Sequence, residues 1–541
     1  MAGGGGGFAF EKFTAKLFKP LKGLVYSFFS MENNEKLILF IGFAGLFIGM
    51  IYFNTPLGST GKALNPVSPL TSPETSNFGE VRNIPPPIKI CTLQDLDNIR
   101  EKLDGNYIQV CDIDLDGYYF RPIGDEDARF KGTFNGNGYT LYNFEYLNRS
   151  DSYVGFFGLI TEPAEIINVK LENVNIQGNS KVGGLIGGIE GGHIKDSYAR
   201  GSVTGEYYVG GLVGFLADGD VENSRYEGLV NGSRDAVGGL IGSSLASNNL
   251  IMNSSSTGNV TGKSQVGGLV GFLGGSIIEN SYFTGTVNGE SMTGGLVGFS
   301  AGNTIENSYS LSEVDGEGAF VGGLVGFLVD GDVKNSYSSS EVRGEEHSVG
   351  GLVGFSKESI IENSYSEGEI TGGSQVGGLI GYSEQLNMKN SYSSGKVKGG
   401  ANVGGLIGGL AINDGLVIIT NSYSSSEVRG ESVGGLISGI YTLDGLIILE
   451  NTYSNGFVSS KPGFSSGGLI RSIGIEGDGN VTIAKSYWDI DTSGQSESAG
   501  GEGRTKDKMT SVPRPLDTYQ KWNFENIWDQ TNDNYPRLRG V

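Results

Sequence analysis

Four glutamates recur at one repeat position, Glu313, Glu341, Glu369 and Glu427, and Arg343 and Arg429 follow two of them at a distance of two residues. Carboxylates in a row with a base nearby are the raw material of glycosidic-bond cleavage, as an acid and a base or nucleophile, or of a lyase that needs a carboxylate-bound cation. The same pattern also serves as a solvated charged row. Asp112, Asp114 and Asp116 alternate with apolar residues, so a strand would carry all three on one face, where they could bind Ca²⁺. No EF-hand-like loop accompanies them. The two histidines, His193 and His347, fall at non-equivalent repeat positions, and no H-E-x-x-H motif exists. Serines lie beside many tyrosines, but no base recurs near them in a triad-like pattern. No focal catalytic constellation emerges, so the expectation is a chain that is not an enzyme, with no cofactor and no metal site.

These residues hang on a repeat. Glycine pairs open at Gly183, Gly210, Gly238, Gly267, Gly294, Gly322, Gly350, Gly377, Gly404, Gly434 and Gly467, and a degenerate copy begins at Val154, making twelve. The unit reads GGLVGF…NSY. The glycine pair and the asparagine are 13 residues apart in seven of the eleven full copies, 15 at Gly238, and 17, 17 and 18 in the last three. The added residues all enter between the same two expected strands and should project from one side near the C-terminal end. A period of 27–28 residues predicts one supersecondary unit per copy, stacked on its neighbours. GLVGF, IIENSY and EIT read as three short strands, which predicts an all-β fold: a parallel β-helix of about 12 rungs. The Leu and Val of GGLVG should fill its interior.

Stacking then predicts two ladders. The asparagines Asn280, Asn307, Asn335, Asn363 and Asn390, with equivalents from Asn223 to Asn451, would bond amide to amide. Beside them Tyr282, Tyr309, Tyr337, Tyr365 and Tyr392, with further members from Tyr198 to Tyr487 that include Tyr226, would stack ring on ring.

The flanks divide the rest of the chain. Residues 1–36 carry Lys12, Lys16, Lys19, Lys22 and Lys36 before Leu37 to Phe53, 17 residues without a charge. That length reaches the lower end of a membrane span. The lysine bias predicts a cytoplasmic N-terminus with extracellular repeats at the cell surface, and the long n-region without a clear A-x-A site favours an uncleaved single-pass anchor. The rival is a cleaved signal peptide, favoured if Met31 is the true start. Residues 54–87 are a Pro/Ser/Thr tether. Residues 88–153 read as a small α/β N-terminal cap containing a helix, LQDLDNIREKL, with Thr92 and Asp95 as its capping box. Cys91 and Cys111 flank that helix at expected strand ends; a disulfide between them is sterically accessible, and two separate thiols are the alternative. Residues 154–487 hold the repeats. Residues 488–541 read as a C-terminal cap whose Trp522, Phe524, Trp528 and Tyr535 form an apolar cluster, or else an aromatic surface for carbohydrate.

The unit GGLVGF…IENSYSxGxVxG resembles the GLUG-motif repeat of secreted and surface proteins. DIDLDGYYFRPIG with FKGTFNGNGYTLYN is similar to the segment that precedes such repeats, and SYWDIDTSGQ with the later W…YPRL to the segment that closes them. The resemblance covers about residues 88–541. It implies a β-solenoid exposed outside the cell, adhesive or structural, and supplies no catalytic residues.

A net charge of −22 disfavours nucleic acid, whose binding needs a basic face, and suits an exposed, soluble surface. The resulting expectation is a membrane-anchored adhesion module that binds a glycan or a surface protein through many weak contacts. The alternatives are a polysaccharide lyase or glycosidase and a structural subunit of an envelope layer or filament.

Overall fold

A computed structural model describes residues 86–246 and 249–541. The described residues form a parallel β-solenoid of about 13 turns with few helices. Two long sheets run its length, and each strand in them pairs in parallel with its equivalent one repeat away. Residues 88–153 enter the same ladder. Ile88–Ile90 pairs with Asn106–Gln109, that strand with Thr133–Asn135, and that in turn with Glu165–Ile167. The expected helix is shorter than read: Leu93–Asn98 is α-helical and Ile99–Glu101 is a 3₁₀ turn. Its capping box is present, with Asp95 N–H donating to Thr92 Oγ1 at 3.1 Å and Thr92 N–H to Asp95 Oδ2 at 2.9 Å.

One repeat shows how the sequence bends. Val353–Glu362 runs along the first sheet, and Tyr365–Ser366 and Glu369–Gly377 run along the second. Val349, Leu352, Val353, Ile361 and Ile370 point inward and are at most 1% exposed. The corners carry left-handed backbone. Asn363 has φ 50° and its counterparts Asn280, Asn307, Asn335, Asn390 and Asn421 lie within a degree of it. Asparagine adopts this conformation more readily than most residues, so the corner itself selects it. The residue before Val-Gly-Gly is left-handed too, as at Ser348 with φ 59° and Gln375 with φ 52°. That second corner breaks the strand and lets Val-Gly pair again (Val349 with Val376, Gly350 with Gly377). Val-Gly is therefore a paired stretch that the three expected strands do not include, and Gly351-Leu352 and Asn363-Ser364 are turns rather than strand.

The glycine pair is a matter of close approach. A Cβ on Gly351 would lie 2.1 Å from Gly378 O and 2.2 Å from Ser366 Oγ, and one on Gly350 would lie 2.0 Å from Val353 O. No side chain fits there without moving backbone. The C-terminal insertions stack on one another, with Leu416, Leu446 and Asn480 in register and Asp444 N–H donating to Asn413 O at 2.7 Å.

No helix among the described residues is long and apolar enough to cross a membrane. Leu37–Phe53 and the 54–85 part of the tether lie outside those residues.

Candidate functional site

The repeat turns single residues into columns, and the columns are the surface chemistry of this molecule. Seven tyrosines stack without interruption from Tyr282 to Tyr453. Ring centres are 5.0 Å apart for Tyr282–Tyr309 and Tyr309–Tyr337, 4.9 Å for Tyr337–Tyr365 and Tyr365–Tyr392, 5.0 Å for Tyr392–Tyr423 and 4.8 Å for Tyr423–Tyr453. The planes tilt by 7° at most. Tyr282 to Tyr392 are half-buried on the outer face, while the serine that follows each of the last four points inward. Ring faces are consumed by stacking, so solvent meets edges and hydroxyls. Burial raises the phenols of Tyr309 and Tyr365 above their ordinary range, and Tyr392 is raised by burial and by donating to Glu367 at 2.9 Å.

Tyr226 departs from the expected column. The local order is Asn-Ser-Arg-Tyr, so Arg225 takes the register position opposite Tyr198, and Tyr226 falls on the inward side. It is 1% exposed and its hydroxyl donates to Gly201 O at 2.9 Å.

The asparagine amides bond only in part as a ladder. Asn363 donates to Asn335 and Asn390 to Asn363, each at 3.0 Å, and Asn253 to Asn223 at 3.1 Å. Asn280 turns instead to Glu279 at 3.3 Å, and Asn335 to Glu306 at 3.3 Å. Neighbouring carboxylates compete for the amide, whereas the left-handed corner is common to every copy.

The middle residue of Asn-Ser-Tyr makes the unbroken polar ladder. From Ser197 to Ser422 each backbone N–H donates to the serine Oγ of the next rung at 3.1–3.3 Å, through Ser224, Ser254, Ser281, Ser308, Ser336, Ser364 and Ser391. Each Oγ in turn donates to a carbonyl two residues upstream, as Ser336 does to Lys334 O at 2.7 Å. These serines are buried, with every donor matched. The phenylalanine of GGLVGF builds a second aromatic column on the other sheet: Phe272–Phe299 at 5.0 Å, Phe299–Phe327 at 5.5 Å, Phe327–Phe355 at 4.5 Å and Phe355–Tyr382 at 5.9 Å. Both features recur in the sequence as regularly as Asn and Tyr do, so the signal was present; it was the facing of each residue that was missing.

The glutamate row lies in the open. Side-chain exposures are 47% for Glu313, 49% for Glu341, 56% for Glu369 and 36% for Glu427. Arg343 bridges Glu313 at 2.5 Å and Glu341, Arg429 pairs with Glu427 at 2.5 Å, and Lys396 lies 3.9 Å from Glu369. Among the described residues no three His, Cys, Asp or Glu side chains converge as metal ligands. Asp112 accepts from Thr140 N–H at 2.8 Å and Asp114 from Asn143 at 2.7 Å, which ties both to the next rung. His193 sits 3.0 Å from Asp220, and His347 meets the edge of Phe320. Cys91 and Cys111 are joined by a disulfide. A shallow open depression of about 210 Å³ lies at the first rung, against Ile88, Asp95, Glu101 and Tyr107.

The C-terminal aromatics face inward. Trp528 is 0% and Trp522 is 6% exposed, packed on Tyr453 at 6.0 and 6.2 Å. Tyr453 donates to Pro536 O at 2.5 Å and Trp522 Nε1–H to Lys485 O at 3.1 Å. Buried in this way, the two indoles are not available as a carbohydrate platform.

Part of the repeat region matches the model of a known family. Its model, "The GLUG motif", fits residues 178–204, 262–288 and 372–398. This chain carries GLUG-motif repeats. A "Putative Gly-rich membrane protein" of Evansella cellulosilytica is 38% identical over 113 residues, 19% of this chain and 13% of that protein. "Halomucin" of Haloquadratum walsbyi is 31% identical over 128 residues, 21% of this chain and 1% of that protein. The matches thus span a small part of each relative. A solved structure titled as a putative immunoglobulin A1 protease from Bacteroides ovatus aligns over 84% of this chain and 92% of its own, at 16% identity and a TM-score of 0.20.

Proposed function

We propose that this GLUG-repeat protein is a surface module that adheres through many weak, equivalent contacts and does no catalysis. The observation that carries this reading is the outward column Tyr282–Tyr392, one hydroxyl-tipped ring every 4.9–5.0 Å along a stiff solenoid. Contacts repeated at that interval add through effective concentration, so a weak single contact suffices for a polymeric or crowded target. The open, ion-paired setting of the glutamates agrees with a charged surface row. The apolar run Leu37–Phe53 would anchor the chain, with the repeats outside the cell, and residues 88–153 and 488–541 would close the two ends. The names of two relatives, a membrane protein and a halomucin, are in keeping with a surface location.

The test is an array of glycans and surface proteins probed with the purified protein, run beside a polysaccharide-cleavage assay. Binding that rises steeply with ligand density and yields no new reducing ends or unsaturated products is the expected result. Cleavage lost in Glu341→Ala/Glu369→Ala would replace this reading with an enzymatic one.

A further inference from the structure

The tyrosine column has one break that its neighbours do not repair. Followed by register from Tyr198, the outward position passes to Arg225, then Ser255, then Tyr282. The Arg225 guanidinium lies 4.7 Å from the centre of the Tyr198 ring, so it stacks where a tyrosine would. Ser255 brings no ring. Tyr282 therefore has a stacking partner at 5.0 Å on its Tyr309 side, and on its other side the register leads through Ser255 to Arg225. Two rung steps separate those walls, about 10 Å.

Two gaps in the aromatic column of the other sheet differ from this one. At Gly188 the Lys181 ammonium sits 4.0 Å from the Tyr153 ring and 5.0 Å from that of Phe215. At Ser243, between Phe215 and Phe272 in register, the serine is 0% exposed. Ser255 is partly exposed, and it belongs to the same repeat as Ser243, the one that lacks both outward aromatics.

We propose that the space between Arg225 and Tyr282 is a binding slot for one aromatic side chain of a partner polypeptide. Its thickness is that of a single ring stacked on both sides at the spacing the column uses everywhere else. Its walls choose the occupant. A guanidinium attracts the negative face of a π system and has no such attraction for the C–H face of a pyranose, so the pair Arg225–Tyr282 favours an aromatic over a sugar. The rim is polar. Thr257 and Thr284 share a hydrogen bond at 3.1 Å, and Glu227 accepts from Tyr198 at 3.1 Å. A phenol or indole would thus keep its polar tip wet. The slot is a single focal site and does not depend on the repeated surface acting in adhesion.

N-acetyl-tyrosinamide is the probe, observed by saturation-transfer NMR on the full chain, with methyl β-glucopyranoside in a parallel series. Wild type and Ser255→Ala should both bind the tyrosinamide. Ser255→Tyr places a ring in the slot covalently; it should abolish the signal while holding or raising the melting temperature. Arg225→Ala should weaken binding by roughly tenfold. Should Ser255→Tyr fail to fold, Tyr282→Ala removes the opposite wall and should abolish binding equally. Absence of binding to wild type, binding unchanged in Ser255→Tyr, or a slot that takes the glucoside in preference would each overturn the proposal.

Discussion

The same residue in the same register behaves differently at two places in this molecule. Tyr282 to Tyr392 stand half-buried on the outer face. Tyr423, Tyr453 and Tyr487 continue the column at 6%, 1% and 3% exposure, because Trp522, Trp528 and Leu538 fold back over them. Rung geometry fixes where a tyrosine sits; a segment far along the chain fixes whether water reaches it. An outward column is thus a ready binding surface, and at the C-terminal end the chain itself occupies it.

The sharpest way to break the contrast is to uncover the buried end. Trp528→Ala should cost about 3–5 kcal/mol in that segment, as for other fully buried large aromatics. Proteolysis should then cut within residues 506–541 while the central repeats keep their strand signal. A uniform loss of the whole solenoid would mean the two regions unfold as one. Next in size is the response to alkali. Burial holds the phenols of Tyr453 and Tyr519 well above the ordinary value of 10.0, with neighbouring tyrosines adding to the shift. A group whose folded pKa is raised stabilises the fold fully below the unfolded pKa, and that contribution is lost as pH rises. Stability should therefore fall from about pH 10 upward. Ultraviolet titration should show the C-terminal tyrosines ionising last, together with release of the covering segment.

A smaller effect sharpens the comparison. Tyr337→Ala leaves two stacked neighbours facing across a gap but only half-buried atoms lost, so about 1–3 kcal/mol is expected. Tyr453→Ala removes a fully buried ring and the hydroxyl that holds Pro536 O, so it should exceed Tyr337→Ala by about 1–2 kcal/mol. Equal losses, read from urea denaturation of the two variants, would mean that stacking rather than covering sets the energy of the column.

Much of this was legible because a solenoid writes its period into the chain. The 13-residue step from glycine pair to asparagine located one corner, and the Leu-Val pairs located the interior. Facing was harder to read. Asn, Ser and Tyr are adjacent, and only the left-handed turn at Asn363 shows that the serine goes inward and the tyrosine outward. The exchange of Arg225 and Tyr226 was hidden for the same reason: a one-residue shift reverses which side chain meets solvent. The extra paired stretch before each glycine pair was invisible because no residue type marks it. Lys181, Met292, Phe320, Ser348 and Asn402 all take the left-handed corner there. The cover over Tyr453 depends on a contact 83 residues away, which no repeat pattern encodes.

The weakest perturbation asks whether the glutamate row belongs to the fold at all. Glu341 and Glu369 are about half exposed, and their pairs with Arg343 and Lys396 sit in water, where such pairs contribute little and salt screens them. Their backbones lie in the ladder through Val342 and Ile370, which are buried and untouched by the change. Glu341→Ala/Glu369→Ala should therefore leave the melting temperature unchanged within error, at low and high salt alike. A clear loss at low salt that high salt abolishes would show that the charges along this face act as a network. The outward columns would then differ in kind: aromatic ones held by stacking, and charged ones held by a field that extends over several rungs.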